Sequence, residues 1–245
     1  MAEALKRPGG ELASRPLHFF WVVDCSGSMY GEKIGAVNNA IQSTIPEMRE
    51  AAKDNPNAQL LVRTLKFSTG ASWVTSNPVN IDDFDWNDLD AGGVTDLGQA
   101  FDMLSAQLTI PPMTDRALPP VIVLLSDGQP TDDYKKGLDK LLHLPWGKKA
   151  VRIAISIGQD ADDDVLQEFT GNRELVLQAN NPEALVKCIK WASTAASVVS
   201  APASRAKMVD DVQVDDGAAN ATNAPLVLDM DNIPDPGAVG ANDVW

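Results

Sequence analysis

The sequence predicts an α/β fold with a doubly wound, mostly parallel sheet, one antiparallel edge strand and helices on both faces. Two observations support this prediction. From residue 17 to about 200, short apolar runs alternate with longer segments whose apolar residues recur at helical spacing. This alternation is typical of a parallel sheet covered by helices. In addition, 44% of the 245 residues are apolar, which is enough for the continuous core of one sizeable domain.

The first part of this region predicts a strand, a helix and a hairpin. The run LHFFWVVDCS is strand-like and predicts a buried strand. A long helix is predicted over EKIGAVNNAIQSTIPEMREAA, because its apolar residues recur at helical spacing. The runs AQLLVRTLKFST and ASWVTSNPVNI predict two neighbouring strands, and the dipeptide Thr69-Gly70 between them favours a hairpin. The hairpin is the predicted source of the antiparallel edge.

The second part alternates strands and helices up to residue 200. Helices are predicted over DLGQAFDMLSAQL, YKKGLDKLLHL and DDVLQEFTG, and strands over PVIVLLSDG, AVRIAISIG and RELVLQA. A final helix begins at NPEALVKCIKWAS, with Asn181 as its N-cap and Pro182 at its first position. We therefore expect one domain over residues 15–200, preceded by a flexible N terminus over residues 1–14.

The composition changes after residue 200. Residues 201–245 are rich in Ala, Asp, Asn and Pro, have no stable period, and contain eight aspartates against Arg205 and Lys207. Such a segment buries too little apolar surface to offset the entropy of ordering it. We expect a disordered acidic tail.

Charge and cysteine content exclude several classes of function. The formal net charge of −14 opposes nucleic-acid binding, which depends on basic residues that neutralise phosphates. No apolar run is long enough to predict a membrane span, and the first residues lack the apolar core of a secretory signal. Two cysteines are too few for a disulfide framework, so we expect a cytoplasmic protein.

Oxygen-bearing side chains follow three of the predicted strands. Asp24, Ser26 and Ser28 come after the first strand, Thr95 lies in AGGVTDLG before a helix, and Asp127 ends the strand of LLSDGQPTDD. Ligands of open α/β sheets bind at the carboxyl ends of the strands. Carboxylates and hydroxyls suit a hard divalent cation, so we expect Mg²⁺, with Mn²⁺ or Ca²⁺ as alternatives.

A charge argument supports the same site. Two carboxylates that converge to about 5 Å at an effective dielectric of 20 repel each other by roughly 3 kcal/mol. If Asp24 and Asp127 converge in this way, one of them takes up a proton or a cation lies between them.

The ordered pattern D-x-S-x-S, a threonine in a Gly-Gly loop, and an aspartate in S-D-G resembles the metal-ion-dependent adhesion site (MIDAS) of von Willebrand factor A (VWA) domains. All five positions are filled here, by Asp24, Ser26, Ser28, Thr95 and Asp127. The resemblance implies that the hydroxyls ligate the ion and that the aspartates often act through water. It also implies an open coordination position that an Asp or Glu carboxylate of a protein partner completes. The expected function is therefore binding, not catalysis.

Within this family, the segments DCSGSMYGEKIGAVNNAI, AGGVTDLGQA, LLSDGQPTDDYKKGL and DDDVLQEFTGN resemble bacterial TerY-like proteins of tellurium-resistance and general stress-response systems. Cys25 and Ser126 stand where that subfamily usually has threonine, and neither is an expected ligand. The resemblance implies an adaptor that works with a PP2C-type phosphatase, a Ser/Thr kinase and TerD-like proteins.

Two other functions remain open on the same residues. A metal-assisted phosphoryl hydrolase could use an aspartate after the first strand as phosphoryl acceptor, although the second aspartate expected two positions on is Ser26. In the other alternative, the ion is purely structural and only holds the three loops together.

Simpler explanations apply to the polar residues nearby. Asp96 is expected to cap the helix that follows it, and Thr131 to cap the next helix, with Asp132 and Asp133 in its first turn. Cys25 is expected to point into the core, and redox sensing beside the metal site is the alternative role. For Phe84 and Trp86 the sequence favours equally an anchor for a partner and a buried anchor for a long loop.

Overall fold

The computed structural model describes residues 14–55, 58–200 and 234 of the chain. The strands are β1 (Arg15–Asp24), β2 (Ala58–Ser68), β3 (Gly70–Trp73), β4 (Val79–Asn80), β5 (Val121–Ser126), β6 (Val151–Ile157) and β7 (Val176–Ala179). The helices are α1 (Glu32–Lys53), α2 (Leu97–Gln107), α3 (Tyr134–His143), α4 (Pro145–Lys149), α5 (Asp163–Thr170) and α6 (Pro182–Ser200). Apart from Ser14 and Pro234, the predicted flexible N terminus and acidic tail lie outside the described residues.

The strands form one mixed sheet in the order β3-β2-β1-β5-β6-β7, and β4 also pairs with β2. The strands from β2 through β1, β5 and β6 to β7 are parallel, whereas β3 and β4 run antiparallel to β2. The predicted fold class is confirmed, including the antiparallel edge. The strand order reverses between β1 and β5, and ligands of open α/β sheets bind outside the carboxyl ends of the strands at such a point.

Strand β1 is central because its side chains are apolar on both faces. Phe19, Trp21 and Val23 belong to one buried apolar cluster, and Phe20 and Val22 belong to a second cluster. Since successive side chains of a strand point to opposite faces, the two clusters lie on opposite sides of the sheet. The continuous apolar run in the sequence is therefore the consequence of burial on both faces.

The helices divide between these two faces. Ile41 of α1 and Ile189 of α6 pack in the first cluster. Phe101 of α2, Leu138 of α3 and Phe169 of α5 pack in the second cluster, where the rings of Phe101 and Phe169 stack with centroids 5.5 Å apart. None of the helices in the described part of the chain is long and apolar enough to cross a membrane.

The structure differs from the predicted elements at three places. The run ASWVTSNPVNI forms two short strands instead of one, separated by residues 74–78 around Pro78, which has no N–H to donate to a neighbouring strand. The start of RELVLQA is a 3-10 turn, so β7 is shorter than predicted. The five-residue helix α4 is too short to show a helical period. The predicted cap of α6 is confirmed, since the Ala184 N–H donates to Asn181 Oδ1 at 2.8 Å.

Helices α2 and α3 approach each other closely through glycine. A Cβ atom on Gly137 of α3 would lie 2.6 Å from the backbone oxygen of Gly98 in α2. Because backbone cannot yield as the end of a flexible side chain does, we expect Gly137→Ala to lower the free energy of unfolding by about 1–3 kcal/mol. Urea denaturation followed by circular dichroism measures this change.

Gly35 of α1 is the matched control, because a Cβ atom there would have nothing within 4 Å. Gly35→Ala removes the entropic cost of a helical glycine and should raise the free energy of unfolding by roughly 0.5–1 kcal/mol. Equal stability of the two variants would contradict the close approach of α2 and α3.

Candidate metal centre

The first loop begins where β1 ends. The carboxylate of Asp24 is buried, and its Oδ1 accepts a hydrogen bond from the Ser26 N–H at 2.8 Å. A 3-10 turn over Gly27–Met29 follows, and it brings Ser28 Oγ to 3.0 Å from Ser26 Oγ. Ser26 is buried, whereas Ser28 is exposed to solvent. This short segment therefore presents one carboxylate and two adjoining hydroxyls along a path from the interior to the surface.

The second loop lies directly against the first. The Gly27 N–H donates to the Gly93 carbonyl at 3.0 Å, and the Gly92 N–H donates to the Cys25 carbonyl at 2.8 Å. A side chain on Gly27 would meet the Gly93 oxygen at 3.2 Å, and Gly93 itself has a φ of +86°. Glycine at both positions allows this approach. Thr95, two residues on, is buried beside these contacts.

The third loop follows β5, the strand that pairs with β1 on the side opposite β2. Ser126, its last strand residue, donates its hydroxyl to Asp24 Oδ2 at 2.6 Å. The next residue, Asp127, is fully buried, and neither of its carboxylate oxygens has a hydrogen-bond partner among the described residues. The second and third loops are joined by a reciprocal pair of bonds: Thr95 N–H to Thr131 Oγ1 at 3.0 Å, and Thr131 N–H to Thr95 O at 2.8 Å.

The five predicted donors therefore lie on three loops that contact one another at the carboxyl edge, beside the point where the strand order reverses. Two of these donors, Ser26 and Ser28, are in direct contact, and Ser26 is also bonded through its N–H to Asp24.

The electrostatics of this edge disfavour two ionised carboxylates. Burial raises the pKa of Asp24 to about 6, and the negative charge of Asp127 adds to this rise. Hydrogen bonds from Ser126 and Ser26 oppose the rise by stabilising the ionised form. With this balance Asp24 is largely ionised at pH 7 and takes up a proton as the pH falls through about 6.

A hard divalent cation fits these residues. The buried, unpartnered carboxylate of Asp127 is costly unless a donor or a cation satisfies its oxygens. In the described residues no three His, Cys, Asp or Glu side chains gather as a metal site. The candidate set instead combines two carboxylates with three hydroxyls. Oxygen-only donors of this kind suit Mg²⁺, Mn²⁺ and Ca²⁺.

Sequence reasoning missed the long-range hydrogen bonds of three residues that organise this edge. Ser126 connects the ends of β1 and β5, and Thr131 connects the second and third loops. Asp132 accepts hydrogen bonds from the Gly98 and Gln99 N–H groups, at 2.9 and 3.1 Å, and so satisfies the N terminus of α2 from another loop. The motif S-D-G-x-P-T-D contains all three residues, but their partners lie about 30 to 100 residues away.

The capping predictions for this region need correction. Asp96 occupies the N-cap position of α2, but its carboxylate accepts from the Gly70 N–H at 2.7 Å and from the Gln99 side chain, not from the backbone of the helix. The N-cap of α3 is Asp133, so Thr131 does not cap that helix. In both cases a long-range partner replaces the local one.

The residues for which the sequence allowed two roles are buried. Cys25 packs in the first apolar cluster, and burial raises the pKa of its thiol to about 12. A thiol in this state has little thiolate character for redox chemistry. Phe84 and Trp86 are also buried in this cluster, and the Trp86 indole N–H donates to Asn38 Oδ1 at 3.1 Å. Phe84 and Trp86 therefore anchor the chain that leads into the second loop of the site.

The fold and the site together define an α/β domain with a candidate oxygen-donor cation site at the carboxyl edge of its sheet. The family model of the von Willebrand factor type A domain matches residues 20–190, which is more than half of the chain. The chain belongs to this family. A search of curated proteins with the sequence finds no match.

Solved structures of similar fold have low sequence identity. The pilus adhesin SpaC of Lactobacillus rhamnosus GG matches with a TM-score of 0.60 and 15% identity, over 77% of this chain and 31% of that one. A von Willebrand factor type A protein of Catenulispora acidiphila matches at 0.53 and 14%, over 75% and 43%. Proximal thread matrix protein 1 of the mussel byssus, with a zinc-occupied MIDAS motif, matches at 0.55 and 16%, over 75% and 48%. The match spans less than half of each of these proteins.

Divalent-cation binding should depend on pH through Asp24. Because the pKa of Asp24 is raised to about 6, a proton competes with the cation below that pH. We expect the affinity for Mg²⁺ to be constant above about pH 7 and to fall by about tenfold per pH unit below 6, as one proton is displaced. Isothermal titration calorimetry between pH 5 and pH 8 provides the measurement.

The same group should affect the stability of the protein in EDTA. Since its pKa is raised on folding from 3.8 to about 6, Asp24 contributes stability that is present below pH 4 and lost as the pH rises through 6. The stability of the wild type relative to Asp24→Asn should therefore increase as the pH falls from 7 to 4. If the difference in stability between the wild type and Asp24→Asn does not change with pH, the raised pKa of Asp24 is contradicted.

Ser126 should control cation affinity without being a ligand. Ser126→Ala removes the hydrogen bond to Asp24 Oδ2 and the acceptor of the Gly128 N–H at 2.9 Å. We expect the affinity for Mg²⁺, measured by calorimetry at pH 7.5, to fall by about 10-fold to 100-fold, as for other residues that orient ligands.

Ser156 is the matched control, because it occupies the paired position on β6 and donates its buried hydroxyl to Asp163 at 2.7 Å. Ser156→Ala should lose comparable stability but keep its affinity for Mg²⁺. Equal loss of affinity in both variants would mean that general destabilisation explains the effect.

Proposed function

We propose that this protein is a metal-dependent protein–protein interaction module in which Asp24, Ser26, Ser28, Thr95 and Asp127 hold a divalent cation. The observation that carries the proposal is the buried carboxylate of Asp127, whose two oxygens have no hydrogen-bond partner in the described part of the chain. Membership of the VWA family supports it, as does the mussel byssus protein with its zinc-occupied MIDAS motif.

The residues of this protein would have different roles at such a site. The hydroxyls of Ser26, Ser28 and Thr95 supply neutral oxygen donors, and Asp24 and Asp127 supply negative charge, directly or through water. Ser126 orients Asp24 from the neighbouring strand. When bound, the cation supplies positive charge and a coordination position for the Asp or Glu carboxylate of a partner. Ser28 is exposed, so this position would face solvent.

We propose Mg²⁺ as the cation, with Mn²⁺ or Ca²⁺ as alternatives. The five donors are all oxygen atoms, which suit each of these ions. Zinc in the mussel byssus protein is a property of that protein, and nitrogen and sulfur donors, which zinc often takes, are not among the five residues here.

A recognition role is favoured over a purely structural ion by the contacts between the loops. Backbone hydrogen bonds already connect Gly27 to Gly93, Gly92 to Cys25, and Thr131 to the carbonyl of Thr95. The three loops therefore have a protein framework of their own. A cation is needed mainly to neutralise the carboxylates, and its solvent side remains for a partner.

Phosphoryl hydrolysis is disfavoured by the state of Asp24. A nucleophilic carboxylate needs a free oxygen that can reach substrate. Asp24 is fully buried, and its two oxygens accept hydrogen bonds from Ser26 and Ser126. We therefore propose that the protein is not an enzyme.

The biological setting rests on the resemblance of its motifs to TerY-like proteins. On that basis we propose an adaptor or scaffold in a bacterial tellurium-resistance or stress-response system, with a PP2C-type phosphatase, a Ser/Thr kinase and TerD-like proteins as partners. A cytoplasmic location is part of this proposal, supported by two buried cysteines that are both free thiols.

The test is selection of fully random displayed peptides on the full-length protein, carried out in parallel in Mg²⁺ and in EDTA. We expect Asp or Glu to be enriched in the Mg²⁺ arm alone. Ser26→Ala plus Ser28→Ala should abolish this enrichment and weaken Mg²⁺ binding by more than about 100-fold, because direct donors are lost in addition to orientation.

Ser43→Ala plus Ser76→Ala is the matched control, since both serines are exposed or half-buried and distant in sequence from the three loops. This variant should select the same peptides as the wild type. Enrichment that persists in EDTA, or in the Ser26 and Ser28 double variant, would exclude cation-dependent recognition.

A further inference from the structure

Three large apolar side chains are exposed in the described part of the chain. They are Tyr30, Ile110 and Val94, with exposed fractions of 78%, 58% and 45%. Two of them, Tyr30 and Val94, flank the candidate metal centre: Tyr30 is two residues after Ser28, and Val94 directly precedes Thr95. Exposed apolar side chains gathered beside a binding site commonly mark an interaction surface.

Backbone hydrogen bonds bring the segments of Tyr30 and Val94 together. Gly27 donates its N–H to the carbonyl of Gly93, the residue before Val94, at 3.0 Å. The carbonyl of the same Gly27 accepts from the Tyr30 N–H at 3.2 Å. Tyr30 and Val94 therefore belong to two segments that are both bonded to one glycine of the first loop, the residue before the exposed Ser28.

The neighbours of these residues show why the two side chains face outward. Met29 is fully buried in the first apolar cluster, and Thr95 is buried in the second loop. The chain is thus fixed by the residue before Tyr30 and the residue after Val94. Hydrophobic burial accounts for Met29, but it does not account for an aromatic ring at Tyr30.

We infer that Tyr30 and Val94 form an apolar rim that binds an apolar or aromatic side chain adjacent to the carboxylate of the partner. This inference rests on the proposed function, because the carboxylate is the group that the cation takes. The cation fixes one end of the partner segment, and the apolar rim selects the residue beside it. Aromatic side chains are enriched among the residues that dominate binding energy.

Charge further defines the partner. Exposed acidic residues near the three loops include Glu32, Asp90 and Asp160, and Lys33 is occupied by an ion pair with Asp160 at 3.4 Å. The whole chain carries a formal net charge of −14. A partner segment with one carboxylate, an apolar neighbour and otherwise neutral or basic residues complements this surface, whereas a second acidic residue would be repelled.

The experiment determines which residue types flank the enriched Asp or Glu in peptides selected by the full-length protein in Mg²⁺. We expect apolar or aromatic residues next to the carboxylate, and few further acids. In the variant Tyr30→Ser plus Val94→Ser, the preference for Asp or Glu should persist and the apolar preference should disappear. A peptide selected by the wild type should bind this variant about tenfold more weakly, a change of about 1.4 kcal/mol.

Ile110→Ser is the matched control, because Ile110 follows the C terminus of α2 whereas the candidate metal centre lies at its N terminus, about 16 Å away along an 11-residue helix. It should bind the selected peptide as the wild type does. Calorimetry should give the same affinity for Mg²⁺ in the wild type, the Tyr30 and Val94 variant and Ile110→Ser. This result verifies that each protein is folded with an intact cation site.

The outcomes separate this inference from the proposed function. The apolar rim is refuted if Asp or Glu is enriched in Mg²⁺ without a preference for an apolar residue beside it. It is also refuted if this apolar preference persists in peptides selected by the Tyr30 and Val94 variant. In both cases cation-dependent recognition stands. If neither Asp nor Glu is enriched in Mg²⁺, both proposals fail. Loss of binding in Ile110→Ser equal to that in the rim variant would also refute the rim.

Discussion

The burial of two carboxylates at the ends of adjacent parallel strands is the constraint on which the carboxyl edge of this protein depends. Asp24 and Asp127 are both fully buried; Asp24 is the last residue of β1, Asp127 directly follows β5, and these two strands are paired. Hydrogen bonds from Ser26 and Ser126 stabilise the ionised form of Asp24, whereas Asp127 has no such donor among the described residues. A divalent cation would satisfy both carboxylates at once, which hydroxyl donors alone cannot do without leaving two negative charges in the interior.

The surrounding loops are organised by hydrogen bonds that do not involve the carboxylate of Asp127. Backbone contacts join the first loop to the second, and Thr95 and Thr131 join the second loop to the third. This framework sets the positions of the oxygen donors, so the cation does not have to assemble them. A bound cation would have its outward side near the exposed Ser28, in the loop that also exposes Tyr30. Oxygen donors that the protein itself holds in place on the inner side, together with a solvent-exposed serine on the outer side, suit recognition of a partner better than a closed structural site would.

Much of the fold could be predicted because its signals are local. Apolar runs marked the strands, helical spacing marked the long helices, and Asn181 marked the start of α6 by its own hydrogen bond. The helix α4 and the division of the third predicted strand into β3 and β4 were missed, since segments of two to five residues are too short to show a period. Asp96 takes the predicted N-cap position, but its carboxylate bonds to Gly70 and not to the helix backbone, and the capping role of Thr131 was wrong. Each side chain has a distant partner that local reasoning does not include.

The sequence by itself determined the types of donor and their positions after strands, because parallel strands present their carboxyl ends at one edge whatever the details of packing. Only the tertiary structure decided which carboxylate receives hydrogen bonds and which does not. It also decided that Ser126 reaches Asp24 across 102 positions of sequence, and that Met29 is buried while Tyr30 is exposed. These outcomes depend on strand order and register, which join residues far apart in the chain. No pattern within a single segment contains that information.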